Sequence, residues 1–506
     1  MAGPVETYSF VDQLPALQIV VPLVAAPITI LMPKGRAPWA WACLVAAATF
    51  LISLGLLHEV VAHGVISYKL GGWAPPWGIE YRIDLANALV LALVSGIAAF
   101  VMPFSYRSII TEIDERQIPF FYAALLICMT GLLGVTITGD AFNVFVFLEV
   151  SSLATYALVA MGGRHDRRAL HAAFNYLVMG TIGATFFVIG LGLLYQATGT
   201  LNMADIRDKL EGLDNRVVQA GFAFIVVGIG LKLAMFPLHL WLPNAYAHAP
   251  SAVTAFIAAT STKVAVYVII RFLFTVFPQD TSFEQAALTY VLLPLGVIGM
   301  FAASLVAVFQ SDVKRMLAYS SVAQIGYMLL GIGLGSVDGV AAALVHLVNH
   351  GLMKAALFMS VACVMLRLGA RHIDAFAGLA RRMPWTASAF IVSGLSLVGV
   401  PLTVGFVSKW QLLKASFAGG APWAGFLIVA SSLLAVIYIG RIIEMMVLRE
   451  APSEGPYAKP VKEAPLEMLI PMWILVAANI YFGLRTEFTA GLALKAAEAL
   501  FGVGGG

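Results

Sequence analysis

Seven ionisable side chains of this chain fall inside apolar stretches whose expected neighbour is hydrocarbon. Glu149 lies in NVFVFLEVSSLATYAL, Lys232 in GIGLKLAMFPLHLWLP and Lys263 in AATSTKVAVYVII. His346, His350 and Lys354 share HLVNHGLMK, and Lys409 lies in VGVPLTVGFVSKWQLL. An ionisable residue near a helix centre costs about 2.5–3.5 kcal/mol on the insertion scale, so each one calls for a chemical reason. Carboxylate, amine and imidazole share one competence, the uptake and release of protons. A carboxylate beside an amine decides whether the amine keeps its proton, and imidazole titrates near neutral pH. Two of the lysines have a proline nearby, Pro237 after Lys232 and Pro401 before Lys409. A proline removes a backbone hydrogen bond, and broken helices persist at membrane depth where they are packed in protein or line a wet cavity.

Each residue has competing readings. Glu149 has too short a stem to reach an interface; it is either a neutral acid bonded near Ser151 and Ser152 or a carboxylate facing a cation. Lys232 lies roughly 15 Å from the end of its span at 1.5 Å per residue, so it either binds carbonyls freed by the break or exchanges its proton. Thr260, Ser261 and Thr262 could solvate the Lys263 ammonium or hold waters. His346, His350 and Lys354 follow at i, i+4 and i+8, nearly on one helix face. They form a proton relay, a pair of satisfied core histidines, or an incomplete zinc site that lacks a third ligand at matching spacing. Lys409 lies close enough to its span's end for snorkelling to remain open. Lys414 reads as an interfacial anchor, and Arg441 with Glu444 as an interfacial ion pair.

The elements that carry these residues follow from composition. Of 506 residues, 60% are hydrophobic and 11% charged, against about 25% charged in soluble domains, and mean hydropathy is +0.91. Apolar runs of roughly 20 residues recur, each able to cross about 30 Å of hydrocarbon. They are continuously apolar, where barrel strands would alternate, so the fold class is all-α and polytopic. The runs predict about 14 spans near 16–32, 38–58, 84–105, 118–137, 140–161, 172–197, 217–241, 250–277, 285–310, 314–335, 338–367, 387–414, 424–448 and 465–484. The longest loops fall near 59–83, 198–216 and 449–464, too short for a soluble domain, so residues 1–506 read as a single membrane domain.

Loops after odd-numbered spans carry Lys34 and Arg36, Arg107 and Arg116, Arg164, Arg167 and Arg168, Lys314 and Arg315, Arg367, Arg371, Arg381 and Arg382, and Arg449, Lys459 and Lys462. The positive-inside rule makes these loops cytoplasmic and puts both termini outside. The net charge of +3 is too small to argue for nucleic acid. Cys43, Cys128 and Cys363 are far apart in apolar segments, with no CxxC spacing, and read as buried small hydrophobes. The N-terminus MAGPVETYSFVDQLP has no basic region and does not resemble a cleaved leader. Phosphate-loop, dinucleotide, nucleophile-elbow and HExxH motifs are all missing. Titratable groups without a nucleophile or a cofactor motif suggest ion movement, with no enzyme chemistry, cofactor or metal.

TGDAFNVFVFLEVSSLATYAL, GLKLAMFPLHLWLPNAYAHAPSAVTAFIAATSTKVAVY, SDVKRMLAYSSVAQIGYM, HLVNHGLMKAALF and PLTVGFVSKW together resemble the proton-conducting antiporter-like subunits. These occur in respiratory complex I, membrane-bound hydrogenases and Mrp-type multisubunit cation/proton antiporters. KLGGWAPPWGIEYRIDLANAL and TGDAFNVFVFLE are similar to the D subunit of Mrp-type Na+/H+ antiporters. The resemblance implies 14 helices, inverted five-helix repeats over 118–277 and 285–448, and broken helices 7 and 12 at Pro237 and Pro401. It implies a glutamate–lysine pair in Glu149 and Lys232, a bridging lysine in Lys263, a central helix with His346, His350 and Lys354, and a terminal ionisable residue in Lys409. Lys409 departs from the M-type complex I subunit, which has glutamate there, and the largest members continue into a long lateral helix.

The function expected is ion translocation within a multisubunit monovalent cation/proton antiporter of a prokaryotic cell membrane, partnered by other subunits. The alternative is a proton-pumping subunit of a redox complex. With Glu149 ionised nearby, Lys232 holds its proton; when the pair separates, an unpartnered ammonium is disfavoured and the proton leaves. It would pass through Lys263, His346, His350 and Lys354 to Lys409, mostly over water. The sequence names no coupling cation: Na+, K+ and H+ alone stay open. Asp140 and Glu149 are the one carboxylate pair from which a sodium site could start.

Overall fold

The computed structural model describes residues 11–164, 166–213, 215–279, 281–458 and 460–503. Residues 1–10, which hold most of the N-terminal stretch read above, and Lys459 lie outside them. Among the described residues, twelve helices are long and apolar enough to cross a bilayer. The first are α1 (Leu14–Leu31) and α2 (Ala37–His63). The stretch near 59–83, expected as a loop, instead forms a two-stranded antiparallel hairpin, β1 (Ile66–Lys69) and β2 (Glu80–Ile83). The hairpin is the one departure from an all-α chain among the described residues. It is held to the bundle where Gly139 N–H donates to the Glu80 carbonyl at 2.8 Å, and the Glu80 carboxylate accepts from Ser67 and from Asn202 Nδ2.

Next come α3 (Leu85–Glu112), α4 (Ile118–Ile137), α5 (Ala141–Ala160), α6 (Arg168–Thr198) and a short α7 (Met203–Leu210) inside the expected 198–216 loop. The expected span 217–241 is interrupted: α8 (Arg216–Lys232) stops, and α9 (Trp241–His248) resumes after eight residues without helix. They are followed by α10 (Ser251–Arg271), α11 (Ser282–Ala287), α12 (Leu293–Val308), α13 (Val313–Gly333), α14 (Val337–Leu368) and α15 (Leu379–Arg382). A second interruption separates α16 (Pro384–Val398) from α17 (Val404–Ala418). The chain continues with α18 (Pro422–Val447), α19 (Leu466–Leu484) and α20 (Thr486–Leu500). Twelve spans are fewer than the 14 expected, and the two interrupted pairs fall where two of the remaining spans were read from the sequence. The α20 helix was not expected; it is short, with a third of its residues polar, and it buries a stripe of Thr489, Ala493, Ala496, Ala497 and Leu500.

Burial sorts the helices by role. From Met316 to Gly333, α13 is buried throughout, α10 buries every residue except Ser261, and most of α14 is buried. A helix buried all round belongs in the centre; of these three, α10 carries Lys263 and α14 carries His346, His350 and Lys354. The outer helices show large apolar side chains instead, such as Leu51 on α2, Phe174 on α6 and Phe426 on α18. With lipid as solvent, helix contacts depend on close packing of small residues. Gly183 and Gly190 of α6 meet Gly221 and Gly228 of α8, and a Cβ on Gly228 would lie 2.7 Å from the Gly183 carbonyl oxygen. This seam sets the position of the α8 end that carries Lys232.

Two junctions have the same construction. Asp140 caps α5 and bridges to Asn202, with Ala141 N–H donating to Leu201 O at 2.8 Å and Met203 N–H to Gly139 O at 2.9 Å. Asp312 caps α13 and bridges to His372, with Val313 N–H donating to Arg371 O and Ile373 N–H to Ser311 O, both at 2.9 Å. One junction shares a cavity with Arg271 at the end of α10, the other with Ala249 and Pro250 at its start, so they lie at opposite ends of the bundle. Overpacking a close helix contact costs about 1–3 kcal/mol. The Gly228→Leu variant is therefore expected to melt at lower temperature in detergent than the parent chain, and an unchanged melting temperature would contradict the seam's role.

Candidate functional site

α8 ends at Lys232, and the backbone freed by that ending is satisfied without it. Leu233 N–H donates to Ile229 O, Met235 N–H to Gly230 O at 2.9 Å, and Trp241 Nε1 to Leu231 O at 2.9 Å. Ala234 takes a left-handed φ of 60°, and the Phe236–Pro237 peptide is cis. Lys232 therefore does not bind freed carbonyls, the first of its two readings. Its ammonium donates to Glu149 Oε1 at 2.9 Å and to Ser152 Oγ at 2.7 Å, both on α5. Glu149 is not bonded to Ser151, whose hydroxyl donates to Leu148 O. A cavity of about 10 Å³ lies between Lys232 and Ala265 and Val268 of α10, the smallest volume that holds a water.

The remaining ionisable residues gather around α14. Lys263 is fully buried and donates to Ala258 O at 2.5 Å and to Thr262 Oγ1 at 3.3 Å. Of the three small polar residues before it, Thr262 is the one that reaches the ammonium; Thr260 donates to Phe256 O, and Ser261 has no partner. Lys354 donates to Leu317 O at 2.7 Å and Ser320 Oγ at 2.5 Å, both on α13. His346 lies between Ser408 Oγ on α17, 2.8 Å from Nδ1, and Gln324 Oε1 on α13, 2.9 Å from Nε2. Its ring lies parallel to that of His350 with centroids 6.0 Å apart, and neither nitrogen of His350 has a partner.

Lys409 sits at the second interruption. Its ammonium donates to Leu397 O at 3.0 Å and Val398 O at 2.9 Å, the last carbonyls of α16, and lies 5.0 Å from the Tyr327 ring centre. The negative end of a helix dipole is a natural seat for a cation, and Lys409 is buried, which excludes snorkelling. Pro401 lies within the non-helical link, where Leu402 has a φ of 71°. Among the described residues, no hydrogen bond joins Lys232, Lys263, His346, His350, Lys354 and Lys409 to one another. The stations have partners of their own, so a proton moving along them must cross gaps.

Other expectations change. Arg441 and Glu444 do not pair: Glu444 pairs with Arg449 at 2.9 Å, and Arg441 donates to Val308 O at 3.0 Å. A carboxylate three residues after an arginine pairs instead with the arginine just past the helix end. Asp140 is engaged in capping α5, its Oδ1 accepting from Asn143 N–H at 2.7 Å, and nine residues of helix separate it from Glu149, about 13 Å. The two carboxylates do not form a common cation site. Both nitrogens of His346 are engaged, and among the described residues no three His, Cys, Asp or Glu side chains gather as a metal site. Cys128 and Cys363 are buried, while Cys43 is half-buried.

Two ion-pair networks were not read from the sequence. Arg271 at the end of α10 makes a bidentate pair with Asp84, at 2.7 and 2.9 Å, and its Nε donates to Tyr267. At the other end of α10, Asp166 pairs with Arg168, His248 and Arg371, and Arg371 pairs with Asp312 at 2.6 Å. Lys314 donates to Ala249 O at the end of α9, and Glu112 accepts from Ser251 N–H at the start of α10, so each helix end meets the charge its dipole favours. A cavity of about 320 Å³ opens among these groups. The one available signal was the acid Asp166 within an otherwise basic loop.

The Arg168 side chain and backbone N–H hold the Asp166 carboxyl well below the usual carboxylate range. A depressed folded value contributes stability that is complete above the unfolded value, near pH 4, and is lost as the pH falls below it. Asp166 is a quarter exposed, so the contribution is screened and small. The Asp166→Asn variant is expected to melt below the parent at pH 7, with the gap narrowing at pH 3; a gap equal at both pH values would contradict this.

The family described as NADH:quinone oxidoreductase/Mrp antiporter, TM, matches residues 138–435. The chain is 41% identical over 489 residues to the NADH-quinone oxidoreductase N subunit of Desulforudis audaxviator (strain MP104C), covering 94% of this chain and 96% of that one. It is 32% identical over 493 residues to the Na(+)/H(+) antiporter D subunit of Bacillus subtilis (strain 168), covering 96% of each. Among solved structures it is similar to a chain of the membrane-bound sulfane sulfur reductase, an archaeal respiratory membrane complex, with a TM-score of 0.89, 31% identity and 97% and 98% of the two chains covered. It is also similar to a chain of the Mrp complex from Dietzia sp. DQ12-45-1b, with a TM-score of 0.89, 26% identity and 98% of each chain covered. The interrupted helices, the buried charges and these matches have one common conclusion: the chain belongs to the NADH:quinone oxidoreductase/Mrp antiporter transmembrane family.

Proposed function

We propose that this chain is the proton-conducting subunit of a multisubunit monovalent cation/proton antiporter of the Mrp type. The observation that carries the reading is the Lys232–Glu149 pair, part-buried at the end of an interrupted helix. The relatives named as antiporter subunits and the Mrp complex support assembly with further subunits in a prokaryotic cell membrane. The termini are read as facing outward, and the chain as a transporter with no reaction of its own.

The matching junctions at Asp140 and Asp312, at opposite ends of the bundle, support two inverted repeats over 118–277 and 285–448. In the first repeat, Glu149 stabilises the charged form of Lys232 while the pair is closed. When the carboxylate withdraws or is neutralised, Ser152 is the remaining partner, and a hydroxyl does not offset an ammonium at membrane depth. The proton then moves toward Lys263 and the α14 histidines, and on to Lys409, with water filling the gaps. Pro237 and Pro401 mark the links whose rearrangement would admit that water. Protons are the conducted ion in this account; the cation exchanged against them is left to the assembly.

A second reading is a proton-pumping subunit of a redox complex, favoured by the 41% identity to a quinone oxidoreductase subunit. Co-purification separates the two: antiporter subunits support the first, dehydrogenase or hydrogenase subunits the second. In vesicles containing the assembled complex, Lys232→Ala and Glu149→Ala are each expected to lower cation-driven proton transport at least tenfold with normal assembly. Full transport in both variants would sink the proposal.

A further inference from the structure

His346 is held differently from every other station in this chain. The others have partners on one side, or none in the case of His350, whereas His346 is bonded from two helices at once. Gln324 on α13 faces its Nε2 at 2.9 Å and Ser408 on α17 faces its Nδ1 at 2.8 Å. All three residues are fully buried. Ser408 is next to Lys409 in the chain, and its hydroxyl lies 3.3 Å from Val404 O and 3.2 Å from Gly405 O of its own helix. Asn349 fastens the same turn to α14 by donating to Val404 O at 2.8 Å. The histidine is thus tied to the first turn of the helix that carries Lys409.

We propose that Gln324 and Ser408 are positioning residues that set and reset the tautomer of His346, which makes this histidine the gate between the α14 stations and Lys409. The proposal rests on proton conduction through this chain and adds what controls one step of it. A neutral imidazole has one N–H and one lone pair. In the first state Nε2–H donates to the Gln324 carbonyl oxygen, and the Ser408 hydroxyl donates to Nδ1. In the second, Nδ1–H donates to Ser408 Oγ, the Ser408 hydroxyl turns to Val404 O or Gly405 O, and Gln324 turns its amide to offer an N–H to Nε2.

A proton received at Nε2 from a bridging water on the α14 side, with the Nδ1 proton passed to Ser408 Oγ as Ser408 gives its own hydroxyl proton to a water toward Lys409, converts the second state into the first and leaves no net charge on the ring. Returning to the second state requires both partners to reverse. An amide and a hydroxyl can each donate or accept; a carboxylate only accepts. The titratable groups around His346 are Lys263 from α10, Tyr327 from α13, Lys409 from α17, and His350 of its own helix. The α16 helix has no titratable side chain, and those of α3, α19 and α20 are at least partly exposed. Gln324 is therefore the position from which a new charge acts directly on the imidazole.

The test measures cation-driven proton transport against pH in vesicles holding the assembled complex, for Gln324→Glu, Ser408→Ala, Ser408→Thr and Lys232→Ala. A carboxylate at 324 would stabilise the imidazolium, which then releases its proton only at higher pH. The expected shift of the pH profile is about one unit or more toward alkaline. Ser408→Ala is expected to lower transport at least fivefold, and Ser408→Thr, which keeps the hydroxyl, to recover it to within about twofold. A Gln324→Glu profile superimposed on the parent's overturns the proposal, as does Ser408→Ala transporting within twofold of the parent. If Ser408→Ala fails to assemble, the Gln324→Glu profile decides. Parent-like transport in Lys232→Ala would instead overturn the proposed function itself, so the two failures are distinct.

Discussion

A charge placed at membrane depth must be matched or neutralised, and in this chain the matching of Lys232 by Glu149 is the constraint around which the first half is organised. The pair requires α5 and α8 to approach closely, and the glycines of α6 and α8 bring α8 into the bundle. It also requires α8 to end where it does. The interruption frees backbone groups, but Trp241, Met235 and Leu233 satisfy the exposed carbonyls. The ammonium is left free for side-chain partners. A lysine consumed by backbone carbonyls would be an anchor, whereas one held by a carboxylate can be released when that carboxylate moves.

The second half resolves the same constraint by other means. Lys409 has no carboxylate; its partners are the carbonyls that close α16. The two breaks thus serve their lysines in opposite ways, one keeping carbonyls away from the ammonium and the other supplying them. Moving Lys409 off its partners requires displacement at the α16–α17 link, while Lys232 can be released by motion or protonation of one side chain. Between them, α10, α13 and α14 form a centre where the lysines and His346 are fixed by local bonds, His350 has none, and water is the natural bridge.

Hydropathy alone was enough to find Glu149, Lys232, Lys263 and Lys409, because a lone charge in a run of some twenty apolar residues is conspicuous. The i, i+4, i+8 spacing placed His346, His350 and Lys354 on one face for the same elementary reason. Beyond Glu149 for Lys232 and Thr262 for Lys263, their partners were not legible. Ser152, Ser320, Gln324 and Ser408 are ordinary residues for a membrane helix, and what distinguishes them is a neighbour tens of residues away in the chain. Asp84 and Arg271 lie at helix ends, where a charge is unremarkable until the fold brings them together. The β1–β2 hairpin was missed because its strands are only four residues each, too short for alternation to register. Arg441 and Glu444 show the converse: correct spacing on a helix did not make a pair, because Arg449 was free to reach the same carboxylate.

The central claim is that Glu149 acts through Lys232, and a double-mutant cycle on transport rate tests it most directly. Residues that act as a unit are strongly non-additive. In vesicles with the assembled complex, the account predicts that Glu149→Gln combined with Lys232→Gln loses about as much proton transport as the worse single variant. Losses that multiply would mean that the two side chains act independently, and would contradict it.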